Sequence, residues 1–178
     1  INEYAFRNCT SLESIIFPDS PVVIKSSAFE NCSSLKSLNI PNIETIRSNA
    51  FYNCDSLKSV EVNATTIENW AFQSCSSLSS VILGNDVKSV YYEAFRNCYA
   101  LTTLTINNSD TKIGADAFKQ SKSLAEVYCY SIIPPSCSIN AFEVEETAKL
   151  YVPAGCGSAY KDSDWVLNIS RNHIFEME

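Results

Sequence analysis

The chain has 178 residues, 46% hydrophobic and 19% charged, a composition suited to one folded domain and unlike that of a disordered polymer. Thirteen Lys and Arg against twenty Asp and Glu leave a net charge of −7 with no basic cluster, which argues against nucleic acid and anionic lipid as partners. No run approaches the roughly 18 apolar residues of a membrane helix, so no membrane insertion is expected.

One unit recurs from Ile1 onward. Ala-Phe returns at Phe6, Phe29, Phe51, Phe72, Phe95, Phe118 and Phe142, at intervals of 21–24 residues. Three residues after Phe come Cys9, Cys32, Cys54, Cys75 and Cys98, then Ser121. Six after it comes Leu12, Leu35, Leu57, Leu78, Leu101 or Leu124. Aliphatic residues mark plus nine in every unit, and apolar residues mark plus eleven. Five before Phe stand Ile1, Ile24, Ile46, Ile67, Val90, Ile113 and Cys137.

A unit this short cannot bury its own apolar side, so neighbouring units must cover it. The segment Leu-x-x-[ILV]-x-[ILVF] ends in period-two alternation, which predicts one short strand with one buried face. Copies in register form a curved parallel β-sheet with strands about 4.8 Å apart. Ala-Phe-x-x-Cys, apolar at a spacing of three, predicts a short helical or 3₁₀ turn on the other side. Length changes fall just after the strand, as at Pro18 to Val23. The expected fold is a leucine-rich-repeat right-handed solenoid, with about six repeats over residues 1–142. Ile1 opens in mid-pattern, so the array is expected to have extended upstream, with any export signal removed.

After Phe142 the spacing fails, with Glu145 at plus three and Ala148 at plus six. Leu150-Tyr151-Val152-Pro153 still predicts a strand, Ser158 to Asp162 a short helix, and Ile169 with His173-Ile174-Phe175 a further strand. Residues 143–178 are read as a C-terminal capping segment of the same domain.

The stretch from Asn31-Cys32-Ser33-Ser34-Leu35 to Leu38-Asn39-Ile40-Pro41, with its counterparts from Ile1 to about Pro153, resembles the BspA-like leucine-rich repeats. The closing Tyr-Val-Pro-Ala-Gly with a following Ala-Tyr-Lys is similar to sequences that end arrays of this family. The resemblance implies an exported or surface-attached bacterial protein that works in adhesion, binding protein or glycan on host or neighbouring cells. It implies no cofactor and no specific binding residue.

Chemistry-bearing residues mostly carry structural readings. Five cysteines in a line, one per coil, cannot converge tetrahedrally on zinc, and buried thiols behave as small hydrophobes. Cys129 and Cys137, eight residues apart, could form a bridge, and Cys156 is a candidate exposed thiol. His173 is the only histidine, and no strained Gly-x-Ser-x-Gly turn accompanies it. Glu143, Glu145 and Glu146 read as a solvated loop. The expected function is therefore non-enzymatic, in a monomer, on a preformed surface. The candidate face is the outward side of the strands: Ile16, Asn39, Glu61, Ile82, Thr105 and Tyr128 in one column. Glu126 stands in the column beside it, which is otherwise Ser and Thr, and Tyr130 lies next to Tyr128. Trp70, Tyr91 and Tyr92 form an alternative patch, suited to carbohydrate. A spacer that holds another domain away from the cell wall is the competing reading.

Overall fold

The computed structural model describes residues 1–178 except 19, 20, 41 and 42 and the side chain of Asn39. Its coils wind into a parallel β-solenoid of about seven turns. Along one wall run β1 (Ser14–Ile16), β3 (Ser37–Ile40), β5 (Ser59–Val62), β7 (Ser80–Leu83), β9 (Thr103–Ile106), β11 (Glu126–Cys129), β13 (Lys149–Val152) and β14 (Ile174–Glu176). They make one parallel sheet in that spatial order. The alternation written in Ser59-Val60-Glu61-Val62 is realised as exposed, buried, exposed, buried.

The expectation of one strand per repeat needs correction. Six coils carry a second strand of two to four residues: β2 (Val22–Ile24), β4 (Ile43–Ile46), β6 (Thr66–Ile67), β8 (Ser89–Val90), β10 (Lys112–Ile113) and β12 (Ser136–Cys137). These pair into a six-stranded parallel sheet. The apolar column five before Phe supplies the buried end of each, Ile24, Ile46, Ile67, Val90, Ile113 and Cys137.

The Ala-Phe segment also differs from expectation, being neither α-helical nor 3₁₀. It is a pair of tight turns whose third residues have positive φ, two residues before and two after each Phe from Phe6 to Phe118. These are Tyr4 and Asn8, Ser27 and Asn31, Asn49 and Asn53, Trp70 and Ser74, Glu93 and Asn97, and Asp116 and Gln120. In one coil Ala28 N donates to Lys25 O and Cys32 N to Phe29 O, the i to i+3 bonds of type II turns. Asparagine tolerates the left-handed region best among residues with a side chain, which accounts for its frequency at plus two. There it also bridges coils: Asn31 Nδ2 donates to Asn8 Oδ1 at 2.8 Å, and Asn53 Nδ2 to Asn31 Oδ1 at 3.1 Å.

These turns form a third wall with its own ladder. Phe6, Phe29, Phe51, Phe72, Phe95 and Phe118 each donate their N–H to the Ala carbonyl of the next coil, at 2.7–2.8 Å. Twelve residues separate a second-sheet strand from the following main strand in five successive coils, and eleven in the last. The opposite corner, from main strand to second strand, varies from two to six.

Inside, the Phe rings from Phe6 to Phe142 stack face to face, with centroids 5.0–5.1 Å apart, matching the strand spacing. After the last coil other groups take over both functions of the missing neighbour. Trp165, in a 3₁₀ turn over Asp164–Leu167, sets its ring 5.6 Å from Phe142 and donates Nε1–H to Pro135 O at 2.9 Å. Asn168 Oδ1 accepts from Phe142 N at 3.2 Å, replacing the backbone carbonyl of an absent coil. The expected helix is present as α1 (Gly157–Lys161), and His173-Ile174-Phe175 contributes to β14. Ile169 is buried between two 3₁₀ turns rather than in a strand.

Glu176 ties β14 to α1. Its carboxylate accepts from Gly155 N and Gly157 N, both at 2.8 Å, and these bonds hold its pKa below the ordinary carboxylate value. A folded pKa below the unfolded one contributes stability above the unfolded pKa, and that contribution is lost as pH falls through the folded value. Wild type is therefore expected to lose more stability than Glu176→Gln between pH 7 and pH 3 in thermal melts. Equal losses would show that the carboxylate adds nothing.

Candidate functional site

Strand register turns the outward column into one continuous row. Ile16, Asn39, Glu61, Ile82, Thr105 and Tyr128 are successive partners across β1 to β11. The row continues beyond the residues singled out from sequence, through Tyr151 on β13 to Phe175 on β14. Ile16 is 95% exposed, Glu61 is exposed, and Ile82 and Thr105 are half-buried. The side chain of Asn39 lies outside the described residues. A shallow hollow beside Glu61 and Ile82 is floored by Ser59 and Ser80.

At the C-terminal end the row becomes aromatic. Tyr128 and Tyr151 stack 4.8 Å apart at 12°, and Phe175 follows 5.9 Å from Tyr151 at 34°. Tyr128 also donates its hydroxyl to Glu126 Oε2 at 3.1 Å. Partial desolvation and that carboxylate raise its pKa. Tyr130, 56% exposed, stands just past the end of β11. Tyr151 and Phe175 escape the sequence pattern because they follow Phe142, where the repeat spacing fails. The extended alternation of Leu150-Tyr151-Val152 was the signal available for the first of them.

The alternative patch lies at the corner where the six-stranded sheet meets the turn wall. Trp70 and Tyr92 meet edge to face at 6.2 Å and 81°. Trp70 is half-buried and donates Nε1–H to Glu93 Oε2 at 3.1 Å. Glu93 is buried and also accepts from Arg96 at 2.6 Å. Burial raises its pKa, but hydrogen bonds from Tyr92, Arg96 and Trp70 outweigh that and hold it below the ordinary value. Trp70 is thus a structural member of this cluster, whereas Tyr91 and Tyr92 are 49% and 42% exposed.

The cysteine column has a hydrogen-bonding function. Cys32, Cys54, Cys75 and Cys98 donate S–H to the Phe carbonyl of the preceding coil at 3.1–3.5 Å, and Ser121 Oγ donates to Phe95 O in the same way. That shared donor explains why serine can substitute in the sixth unit. Burial pushes the Cys32 thiol up to about 11 and Cys98 and Cys137 up to about 12. Cys129 and Cys137 are not bridged: Tyr160 Oη lies 3.0 Å from Cys129 Sγ, and Asn168 Nδ2 donates toward Cys137. Cys156 is half-buried and Cys9 exposed. Iodoacetamide at neutral pH should therefore label two sites in the folded chain and all eight in denaturant, read by intact mass. A third rapid label on the folded protein would contradict the sealed ladder.

Among the described residues no group of three or more His, Cys, Asp or Glu is placed to hold a metal ion. Neither is any helix there long and apolar enough to cross a membrane. His173 lies in a 3₁₀ turn, its Nδ1 buried without a hydrogen-bond partner. Glu143 pairs with Lys122 at 3.4 Å.

A family model described as BspA type leucine rich repeat region matches residues 1–127 in six copies. Among solved structures, the pneumococcal vaccine antigen PcpA superposes with a TM-score of 0.59 at 22% identity, over 93% of this chain and 44% of that one. A leucine-rich repeat protein from Bacteroides ovatus aligns at TM-score 0.44 and 21% identity, over 88% of this chain and 61% of that one. A leucine rich cell surface protein from Faecalibacterium prausnitzii gives 0.29 and 16%, over 99% and 76%. The chain thus spans less than two thirds of the first two. No curated protein matches it.

Proposed function

From the fact that the chain belongs to the BspA type leucine-rich repeat family, we propose that it is a non-enzymatic binding module of an exported surface protein. Its partner is a protein on a host or neighbouring cell, and the contact surface is the outward face of the eight-stranded sheet. The observation that carries this reading is the aromatic end of the outward row. Tyr128, Tyr151 and Phe175 are held by one another and by the sheet, so little side-chain entropy is lost when a partner docks. Aromatic anchors on a rigid surface are the residues most favoured as interface hot spots. Tyr151 lies between Tyr128 and Phe175, so the stack presents mainly ring edges and the Tyr151 hydroxyl for contact. That presentation suits a protein surface better than the flat side of a sugar. The fold resemblance to PcpA, a pneumococcal vaccine antigen, is in keeping with an extracellular setting.

The test is capture of extracellular-matrix and cell-surface proteins by the purified chain, beside a Tyr128→Ala/Tyr151→Ala variant that keeps its melting temperature. Hot-spot truncation costs 2 kcal/mol or more, so binding by the double variant should fall at least about thirtyfold. Undiminished binding would remove the sheet face from the reading, and no capture at all would favour the spacer.

A further inference from the structure

A second site, independent of the sheet row, lies at the corner beside Tyr91. Here a hollow of about 220 Å³ is lined by Ser48, Thr66, Glu68, Asn69 and Tyr91. Three consecutive coils contribute to it. Arg47, Glu68 and Tyr91 each lie four residues before their Phe and occupy the same corner position in successive coils, with Gly114 next in line. Tyr91 therefore rises between a carboxylate on one side and a bare glycine on the other, which leaves its ring 49% exposed. Gly114 cannot carry a side chain without displacing that backbone: a Cβ there would meet Val90 O at 2.9 Å and Tyr91 C at 3.1 Å.

The polar wall is fixed in advance. Glu68 Oε1 accepts from Arg47 at 2.7 Å, and Oε2 accepts from both Ser48 N and Ser48 Oγ at 3.1 Å. One acceptor position on Oε1 is left over. Asn69 forms no side-chain hydrogen bond within the described residues, so its amide has both donor and acceptor capacity to offer. The Thr66 hydroxyl is in the same state.

We propose that this hollow binds one neutral sugar ring, a hexose or N-acetylhexosamine unit at the end of a glycan. Size sets the first limit, because drug-sized sites run about 300–1,000 Å³ and this one holds a single ring. Charge sets the second. The Glu68 carboxylate is paired with Arg47, so the wall carries no net charge and favours neither an anion nor a cation over a neutral ligand. Chemistry sets the third: vicinal hydroxyls can donate to Glu68 and exchange hydrogen bonds with Asn69 and Thr66. The C–H side of the ring covers Tyr91, whose exposed ring pairs with no other aromatic among the described residues. Binding here needs no reordering, since the carboxylate is already positioned by three donors.

Saturation-transfer NMR on the full chain, with the methyl glycosides of glucose, galactose, mannose and N-acetylglucosamine, tests this. At least one should receive saturation at its ring protons. Tyr91→Ala and Glu68→Gln should each weaken that glycoside's binding by about tenfold or more, the value of a lost charge-assisted hydrogen bond or aromatic wall. Tyr91→Phe should retain it, as should Tyr128→Ala/Tyr151→Ala, which separates this site from the sheet face. Tyr91 is 49% exposed and stands outside the buried core, so Tyr91→Ala decides the matter if Glu68→Gln fails to fold. No transfer to any of the four, undiminished transfer in Tyr91→Ala, or displacement by tetramethylammonium would overturn the proposal.

Discussion

Phe72→Ala is expected to lower the unfolding free energy by about 3–5 kcal/mol, near the upper end of that range for a fully buried ring. The ring has no solvent exposure and stacks on Phe51 and Phe95 at 5.0 Å on both sides, so truncation removes two aromatic pairs as well as its own apolar burial. The cavity cannot collapse readily, because the backbone around it is pinned by three hydrogen-bonded ladders. In a stack whose coils touch only their neighbours, such a loss falls on the two interfaces that Phe72 shares. Urea unfolding followed by circular dichroism and by hydrogen exchange should show the coils on either side separating into distinct transitions. Phe6→Ala, with one stacking neighbour and a partly exposed ring, should cost less. A loss below about 1 kcal/mol for Phe72→Ala would mean that the Phe column is filler rather than the main support.

Trp165→Ala is expected to have an effect of the same size, about 3–5 kcal/mol, concentrated at one end. Trp165 is buried, closes the Phe ladder against Phe142 and satisfies Pro135 O. Removing it leaves an apolar face open and a buried carbonyl unpartnered, the latter alone costing about 1–3 kcal/mol. Trp165→Phe separates the two, since it restores a ring without the N–H. Amide exchange should quicken first at β13 and at Phe142, and leave the coils around Phe51 protected. Uniform quickening along the whole chain would show instead that the array unfolds as a single unit.

Much of this architecture could be read from the sequence because stacking demands identity at each buried column. Phe at one position and Leu six residues later recur for the reason that rings and branched side chains must meet their own kind in the next coil. The main strands were legible from alternation over Leu-x-x-[ILV]-x-[ILVF]. The second strands were not: at two to four residues they are too short to show a period, and only their buried ends gave an apolar column. The turns misled for a different reason. Spacing of three between Ala-Phe and Cys fits a helical turn, and the left-handed residues that defeat a helix carry side chains as large as Trp70. The chain has only four glycines, so the usual marker of positive φ is missing. Asn8, Asn31, Asn53 and Asn97 were the surviving trace of it. In the candidate row, Ile16 through Tyr128 followed from alternation alone, while Tyr151 and Phe175 required knowing that the sheet continues after the repeat has lost its spacing. Near Tyr91, already named from sequence in a patch suited to carbohydrate, the hollow itself was not legible, since it joins residues from three coils around a position the repeat leaves free.

The constant twelve-residue segment and the variable corner opposite it carry a consequence for how such genes can change. A codon gained or lost within the segment would shift every later residue against the rungs of the adjacent coil and exchange its buried columns for exposed ones. One gained in the corner between the two sheets is absorbed where it arises, as the span of two to six residues there already records. Length polymorphism is thereby channelled to a single edge of the stack. That edge can acquire a long loop, and with it a new specificity, while the rest of the reading frame keeps its meaning.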